Sequence, residues 1–322
     1  MKNVLTIVTV NYFSAGYIKK LAATMPDNKT VSYKWIVVDN SDDSEQYEKL
    51  KNVTKIDEII RLKKNVGFGT ANNIATKNSK SDYYLFLNPD TTLRKDSIKK
   101  LLDYMNANID VSMVGPKILN TDGTIQLSAA HRYPYWWSHA IDYSPLLRMI
   151  VSKLGLNQYP TLYSKKEHQK ELDAVSLLGA CIFVRSSAYN KVSGFDERFF
   201  LYREETDLAF RIRDNSGKIR YYPDSVITHV SGGSSNNNFY AEFNTHYIKS
   251  SYQFLSRWHN FAYVLFCWVL GLAGSFMSFL AFGSLALIFP KKRLNYIKIA
   301  KICFKGMVTH MQHPFALGYY IK

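Results

Sequence analysis

The sequence predicts an α/β fold with a mostly parallel central sheet, followed by a helical C-terminal region that is first apolar and then basic. Three observations carry this. Apolar runs of strand length, each closed by a polar or glycine-containing turn, recur through the first third of the chain. The segments between them have helical spacing or helix-forming composition. Near the end, Phe261–Phe289 carries no charge, and a basic tail follows it. Strands that are apolar throughout are buried on both faces, as in a parallel sheet covered by helices.

Leu5–Val10 reads as the first strand. The run is too short for a signal-peptide core and lacks a small-residue cleavage pattern, so the chain is expected to start in the cytoplasm. Helix Tyr17–Met25, strand Trp35–Val38, helix Asp42–Lys51, strand Ile59–Leu62, helix Ala71–Lys77 and strand Tyr83–Leu87 follow. Ligands of such sheets sit beyond the carboxyl ends of the strands. That rule singles out Asn11, Asp39, Asn65 and Asn88-Pro89-Asp90. In the mixed region after Val111, Arg132–Leu156 is rich in aromatic and aliphatic residues, Trp136 and Trp137 among them. It reads as an insertion framing an acceptor groove or, equally, as an ordinary packed helix. Leu177–Arg185 and Val226–Val230 read as strands, Glu204–Arg213 as a helix and Ser231–Asn238 as a flexible loop. The boundary is placed in that loop, giving a first domain over 1–238 and a C-terminal helical region over 239–322.

As one helix, Phe261–Phe289 would rise about 43 Å, more than a bilayer core needs. A full crossing would carry the basic tail outward, against the positive-inside tendency. Gly271, Gly274 and Gly283 offer break points, so a re-entrant or hairpin arrangement in the inner leaflet is expected. Beyond it, Lys298, Lys301 and Lys305 share one helical face, while Ile297, Ala300 and Phe304 lie on another. A basic amphipathic helix of this kind suits an anionic membrane surface. A buried helix pair at a homo-oligomer interface is the alternative.

Hydrophobic residues at 47% and charged residues at 21% exclude a disordered chain. The net charge of +15 would serve nucleic acid, anionic lipid or a phosphorylated substrate. No acidic residue follows Pro290, and this basic end adjoins the uncharged stretch, which favours lipid. A nucleic-acid binder would interleave basic and aromatic residues on one surface, so no nucleic-acid partner is expected. Cys181, Cys267 and Cys303 show no metal or redox spacing and read as buried thiols.

Three constellations carry chemistry. Asn88-Pro89-Asp90 closes a buried strand. It is a good turn former, but a carboxylate there is also placed to meet a divalent cation and, through it, a diphosphate. In Asn65-Val66-Gly67-Phe68-Gly69-Thr70-Ala71-Asn72-Asn73 the glycines admit a ligand close to the backbone and the asparagines offer donors and acceptors. A helix-capping loop is the plainer reading. Glu204-Glu205-Thr206-Asp207 clusters acids whose mutual repulsion suits a general base, although such a run also favours a helix start. His229, closing its strand, is either a metal ligand or a core histidine.

Taken in order, Val8-Thr9-Val10-Asn11-Tyr12, Val37-Val38-Asp39-Asn40-Ser41, Asn65-Val66-Gly67-Phe68-Gly69, Leu87-Asn88-Pro89-Asp90, Leu178-Gly179-Ala180-Cys181, Gly194-Phe195-Asp196-Glu197, the acidic cluster and His229 resemble the inverting family-2 glycosyltransferases. The likeness spans about Leu5 to His259 and is strongest to the bacterial rhamnosyltransferase-like and galactofuranosyltransferase-like branch. It implies a GT-A fold and a nucleoside-diphosphate sugar donor. It implies that Asp39 accepts a hydrogen bond from a pyrimidine, with Thr9 and Asn11 near the nucleoside. It places Asn65, Gly67 and Asn72 along the sugar diphosphate. Asp90 stands where the family's metal-binding motif ends, Asn88 replaces that motif's first acid, and His229 completes a site for Mg²⁺ or Mn²⁺. Glu205 stands where the family usually has a catalytic aspartate, which leaves Glu204 as a rival base.

The resemblance favours dTDP-rhamnose as donor, UDP-galactofuranose as second choice, and a hydroxyl of a lipid-linked or polysaccharide acceptor. The enzyme is then expected on the cytoplasmic side of the cell membrane, peripheral or monotopic. A sugar-nucleotide pyrophosphorylase would open with a Gly-rich basic loop where Asn11-Tyr12-Phe13-Ser14 stands. A polyprenyl-phosphate sugar synthase needs no general base, so the acidic cluster counts against it.

Overall fold

The structure is a computed structural model that describes residues 5–27, 29–156, 159–215, 217–230 and 245–313. In chain order the elements are β1 (Leu5–Asn11), α1 (Ala15–Thr24), β2 (Tyr33–Asp39), α2 (Ser44–Lys51), β3 (Glu58–Arg61), α3 (Phe68–Thr76), β4 (Tyr83–Leu87), β5 (Thr91–Leu93), α4 (Ser97–Ala107), β6 (Val111–Leu119), β7 (Ala130–His131), α5 (Trp136–Asp142), α6 (Pro145–Lys153), β8 (Leu172–Asp173), β9 (Ser176–Leu177), β10 (Cys181–Arg185), α7 (Ser186–Lys191), α8 (Glu204–Asn215), β11 (Lys218–His229), α9 (Thr245–Trp258), α10 (Phe261–Ile288) and α11 (Arg293–Gln312).

The chain divides into two compact units. One holds Met1–Arg132, Leu162–Phe200 and Glu204–Asn237; the other holds Tyr133–Thr161, Leu201–Arg203 and Asn238–Lys322. The second unit thus takes in Tyr133–Thr161, which the sequence assigned to the first domain. Ser231–Asn238, read as a loop, lies outside the described residues.

The first unit is built on a sheet of order β3-β2-β1-β4-β10-β6-β11-β5, with β8 paired to β11. Strands β1 and β4 are buried at every residue and β2 at all but one, which is why they read as continuous apolar runs. β3, β2, β1 and β4 are mutually parallel, and β1 and β2 run in register to the pair Asn11–Asp39. β10 lies antiparallel between β4 and β6, so β6 and its parallel partner β11 again run with β4. The carboxyl ends of β1, β2, β4 and β11 therefore share one edge of the sheet. The strand order reverses between β1 and β4, and α/β sheets bind ligands at such a switch.

Leu177–Arg185 is not one strand. The chain turns through Leu178–Ala180 so that the Ala180 carbonyl can accept from Asn88 N at 2.9 Å, and β10 begins only at Cys181. That bond fixes the segment leading into Asp90.

In the second unit, α10 runs unbroken through Gly271, Gly274 and Gly283, against the expected break. The glycines have another role. A Cβ at Gly271 would stand 2.8 Å from His310 Cε1 and one at Gly274 2.9 Å from Ser144 Cβ, so two of them admit close neighbours. The hairpin forms further on, after Pro290, where α11 returns antiparallel along α10. Phe289 meets Tyr296 at one end of the pair, with ring centroids 6.3 Å apart. Trp268 Nε1 donates to the His310 carbonyl at 2.8 Å near the other. Arg132–Leu156 resolves largely into α5 and α6, which pack on α10. The three cysteines are buried and unpaired.

Candidate active site

The site lies at the sheet edge defined above, within the first unit. Asn11 and Asp39 end β1 and β2 with no solvent exposure. Asn11 Nδ2 donates to Asp39 Oδ1 at 2.9 Å, and the Ser41 hydroxyl and amide donate to the same oxygen. Asp39 Oδ2 is buried without a partner among the described residues. A carboxylate with one oxygen saturated and the other idle is poised to accept from a ligand N–H. Thr9 is fully buried one pleat earlier, and its hydroxyl receives Trp35 Nε1 at 3.0 Å.

Asn40 organises the next loop. Its Oδ1 accepts from Val66 N at 2.9 Å, and its Nδ2 donates to Asn65 Oδ1 at 2.8 Å. Asn65 Oδ1 in turn accepts from Gly67 N at 2.9 Å. Gly67 has φ 87°, and a Cβ there would lie 2.4 Å from the Phe200 carbonyl oxygen. Only glycine admits both that conformation and that approach. Asn72, inside α3, donates Nδ2 to the Phe68 carbonyl at 3.0 Å, while its buried Oδ1 has no partner. Asn73 ties the loop at Phe195 to α3, donating Nδ2 to the Phe195 carbonyl and accepting from Phe195 N, both at 2.9 Å.

Asn88 is half-buried after β4. Its carbonyl accepts from Thr91 Oγ1 at 2.7 Å, which closes the turn. Asp90 Oδ1 lies 3.2 Å from His229 Nε2, and both side chains are buried. The pairing of β5 with β11, which sets Thr91 opposite His229, brings them together. His229 Nδ1 lies 3.0 Å from Gln126 Oε1. That oxygen can only accept, so the ring proton belongs on Nδ1 and the Nε2 lone pair faces a carboxylate oxygen. Two acceptors at 3.2 Å call for a proton or a cation between them. Oxygen and nitrogen donors with an outer partner fixing the tautomer fit Mg²⁺ or Mn²⁺. Among the described residues no cluster of three His, Cys, Asp or Glu forms. Sequence reasoning missed Gln126, which sits in no motif.

The acidic cluster opens α8. Asp207 is committed to structure, because its carboxylate takes Arg211 Nε at 2.7 Å and Arg211 Nη1 holds the Val192 and Gly194 carbonyls. Glu204 is buried, and its Oε2 has no partner. Burial, reinforced by the neighbouring Glu205 charge, holds the Glu204 carboxyl well above the usual carboxylate range. Glu205 is half-buried and accepts from the Thr206 hydroxyl at 3.1 Å. The residues just before α8, Tyr202 and Arg203, both have left-handed backbones, at φ 69° and 67°.

A mostly parallel sheet with buried polar side chains gathered at its switch point defines a GT-A-like nucleotide-sugar fold. Residues 6–192 match glycosyl transferase family 2, and the chain belongs to that family. It is 26% identical over 273 residues to N-acetylglucosaminyl-diphospho-decaprenol L-rhamnosyltransferase of Mycobacterium tuberculosis, covering 81% of this chain and 86% of the relative. It is 26% identical over 259 residues to rhamnosyltransferase WbbL of Escherichia coli, covering 78% and 92%. Its fold is also similar to that of a mannosyltransferase from Pyrobaculum calidifontis solved with GDP-Man and Mn²⁺. There the TM-score is 0.56 and the identity 11%, over 97% of this chain and 88% of the other.

Proposed function

We propose that the protein is an inverting glycosyltransferase that moves L-rhamnose from dTDP-rhamnose to a hydroxyl of a lipid-linked cell-surface glycan, working at the cytoplasmic face of the membrane. The observation that carries the reading is the Asp90–His229 acceptor pair at the same sheet edge as the idle Asp39 oxygen. Two relatives named as rhamnosyltransferases favour the sugar, and the lipid diphosphate in one of those names favours the acceptor class.

Asp39 Oδ2 accepts the pyrimidine N–H, with Asn11 and Ser41 fixing the carboxylate in place. The loop held by Asn40 offers Asn65 and Gly67 to the sugar diphosphate, and Asn72 lies just inside the helix that follows. Asp90 and His229 would hold a divalent cation, which when bound would offset negative charge on the diphosphate leaving group. Glu205 takes the proton of the acceptor hydroxyl as that oxygen bonds to the anomeric carbon. The bond from that carbon to the diphosphate breaks on the opposite face, so a single displacement inverts the centre. Glu205, which is half-buried, is taken as the base over Glu204, which is buried and whose carboxyl burial holds well above the usual carboxylate range. The second unit attaches the enzyme to the membrane that holds the acceptor.

Donor hydrolysis across a panel of nucleotide sugars tests the specificity. Turnover confined to pyrimidine donors, with dTDP-rhamnose fastest, is expected. Turnover led by a purine donor would overturn the reading.

A further inference from the structure

We propose that the second unit lies flat on an anionic lipid surface, with one stripe of α10 and the aromatic start of α5 sunk into the headgroup boundary and no helix crossing the bilayer. The inference rests on the membrane attachment proposed above and adds which face meets lipid.

The stripe follows from helical periodicity. Phe266, Val269, Phe276, Met277, Leu280 and Leu287 are exposed, and at about 100° of rotation per residue they fall within about 100° on one side of the helix. The opposite stripe, including Val264, Cys267, Gly271, Ser275, Ser278 and Phe282, is buried inside the unit. Polar contacts bed it there, since Ser278 Oγ accepts from Leu146 N at 3.1 Å and Ser275 Oγ donates to the Tyr143 carbonyl at 3.3 Å. A helix seated on its own unit along its length can offer lipid only its outer side.

Charge and aromatics choose lipid as the occupant. α11 lies along α10 and exposes Lys298, Lys301 and Lys305. A crossing α10 would draw these lysines toward hydrocarbon, where charge is costly, whereas an in-plane α10 leaves them among anionic headgroups. No acid follows Pro290, so a second copy would bring no countercharge from the same region. Trp136 and Trp137 are 46% and 41% exposed, and Trp136 packs edge-on against Phe266 with centroids 5.6 Å apart. The indole pair therefore continues the stripe, and tryptophan favours the depth where apolar chains meet headgroups.

The test uses the full chain and phosphatidylglycerol-containing vesicles. Binding is read by flotation, and depth by quenching of tryptophan fluorescence with brominated lipids. Sidedness is read by an impermeant maleimide on the exposed positions Ala262→Cys and Asn295→Cys. Three results are expected. The protein floats with vesicles, most of its quenching disappears in Trp136→Phe/Trp137→Phe, and both cysteines label from outside without detergent. Trp136→Ser/Trp137→Ser should weaken binding roughly tenfold or more while leaving the thermal melt in place. Flotation with quenching unchanged in the Phe pair, or with Asn295→Cys protected until detergent is added, overturns the in-plane inference and leaves attachment standing. No flotation, with dimers that depend on the α10 stripe, overturns both.

Discussion

His229 Nε2 stands 3.2 Å from Asp90 Oδ1 while Gln126 Oε1 faces the other ring nitrogen at 3.0 Å. Asp90→Ala should therefore abolish nearly all turnover in a folded protein, and chelation should do the same to the wild type. Gln126→Leu removes the group that fixes the ring. It should weaken Mn²⁺ binding in the presence of dTDP by about 10–100-fold, measured by calorimetry or electron paramagnetic resonance. Full activity in chelator would contradict the metal assignment.

Glu205 and Glu204 separate cleanly as variants. Glu205→Gln keeps the shape and removes the proton acceptor, so transfer should fall by about 10²–10⁴ while donor binding persists. Glu204→Gln should retain transfer. A dead Glu204→Gln beside an active Glu205→Gln would reverse the roles.

The pH dependence of stability gives a second handle on Glu204. Its ordinary pKa is 4.5, and the folded value is raised. Below the ordinary value both states hold the proton, and the wild type and Glu204→Gln should melt alike. As pH climbs above it the unfolded chain gives up the proton before the folded chain does. The wild type should then lose stability steadily against the variant. Melting curves that stay parallel from about pH 4 to pH 9 would contradict this.

Asp39→Ala deletes the idle acceptor and frees Asn11 and Ser41 from their shared partner. Affinity for both uridine and thymidine diphosphates should drop, by about 1–3 kcal/mol if one buried hydrogen bond is lost. Calorimetry showing unchanged affinity would move base recognition elsewhere.

Gly67→Ala tests the loop geometry. A methyl 2.4 Å from the Phe200 carbonyl oxygen cannot be accommodated without backbone movement, and the left-handed φ adds strain. A destabilisation of about 1–3 kcal/mol or more, with loss of donor binding, is expected. A variant with a wild-type melt and full donor affinity would show that the loop tolerates another shape.

Much of the fold could be read from the sequence because burial on both faces leaves a plain mark. β1, β2 and β4 are apolar runs, and the polar residues closing them fall at one sheet edge as expected. β3 was less distinct, since an edge strand with exposed Glu58 and Arg61 keeps charges at its ends. What could not be read depends on contacts far apart in sequence. Gln126 reaches His229 across 103 positions, and nothing in its own neighbourhood marks it. Asn40 stood beside Asp39 in a motif, yet its bonds to Asn65 and Val66 give it the organising role. Gly271 and Gly274 looked like helix breakers because a sequence does not show His310 or Ser144 approaching.

The most direct test of the central claim is the anomeric configuration of the transferred sugar, read by nuclear magnetic resonance on the product formed from dTDP-rhamnose and a short-chain lipid-diphosphate sugar acceptor. The expected result is one rhamnosyl linkage of configuration opposite to the donor's, formed by the wild type with Mg²⁺ or Mn²⁺ and lost in Glu205→Gln. A retained configuration, or undiminished transfer by Glu205→Gln, would contradict it.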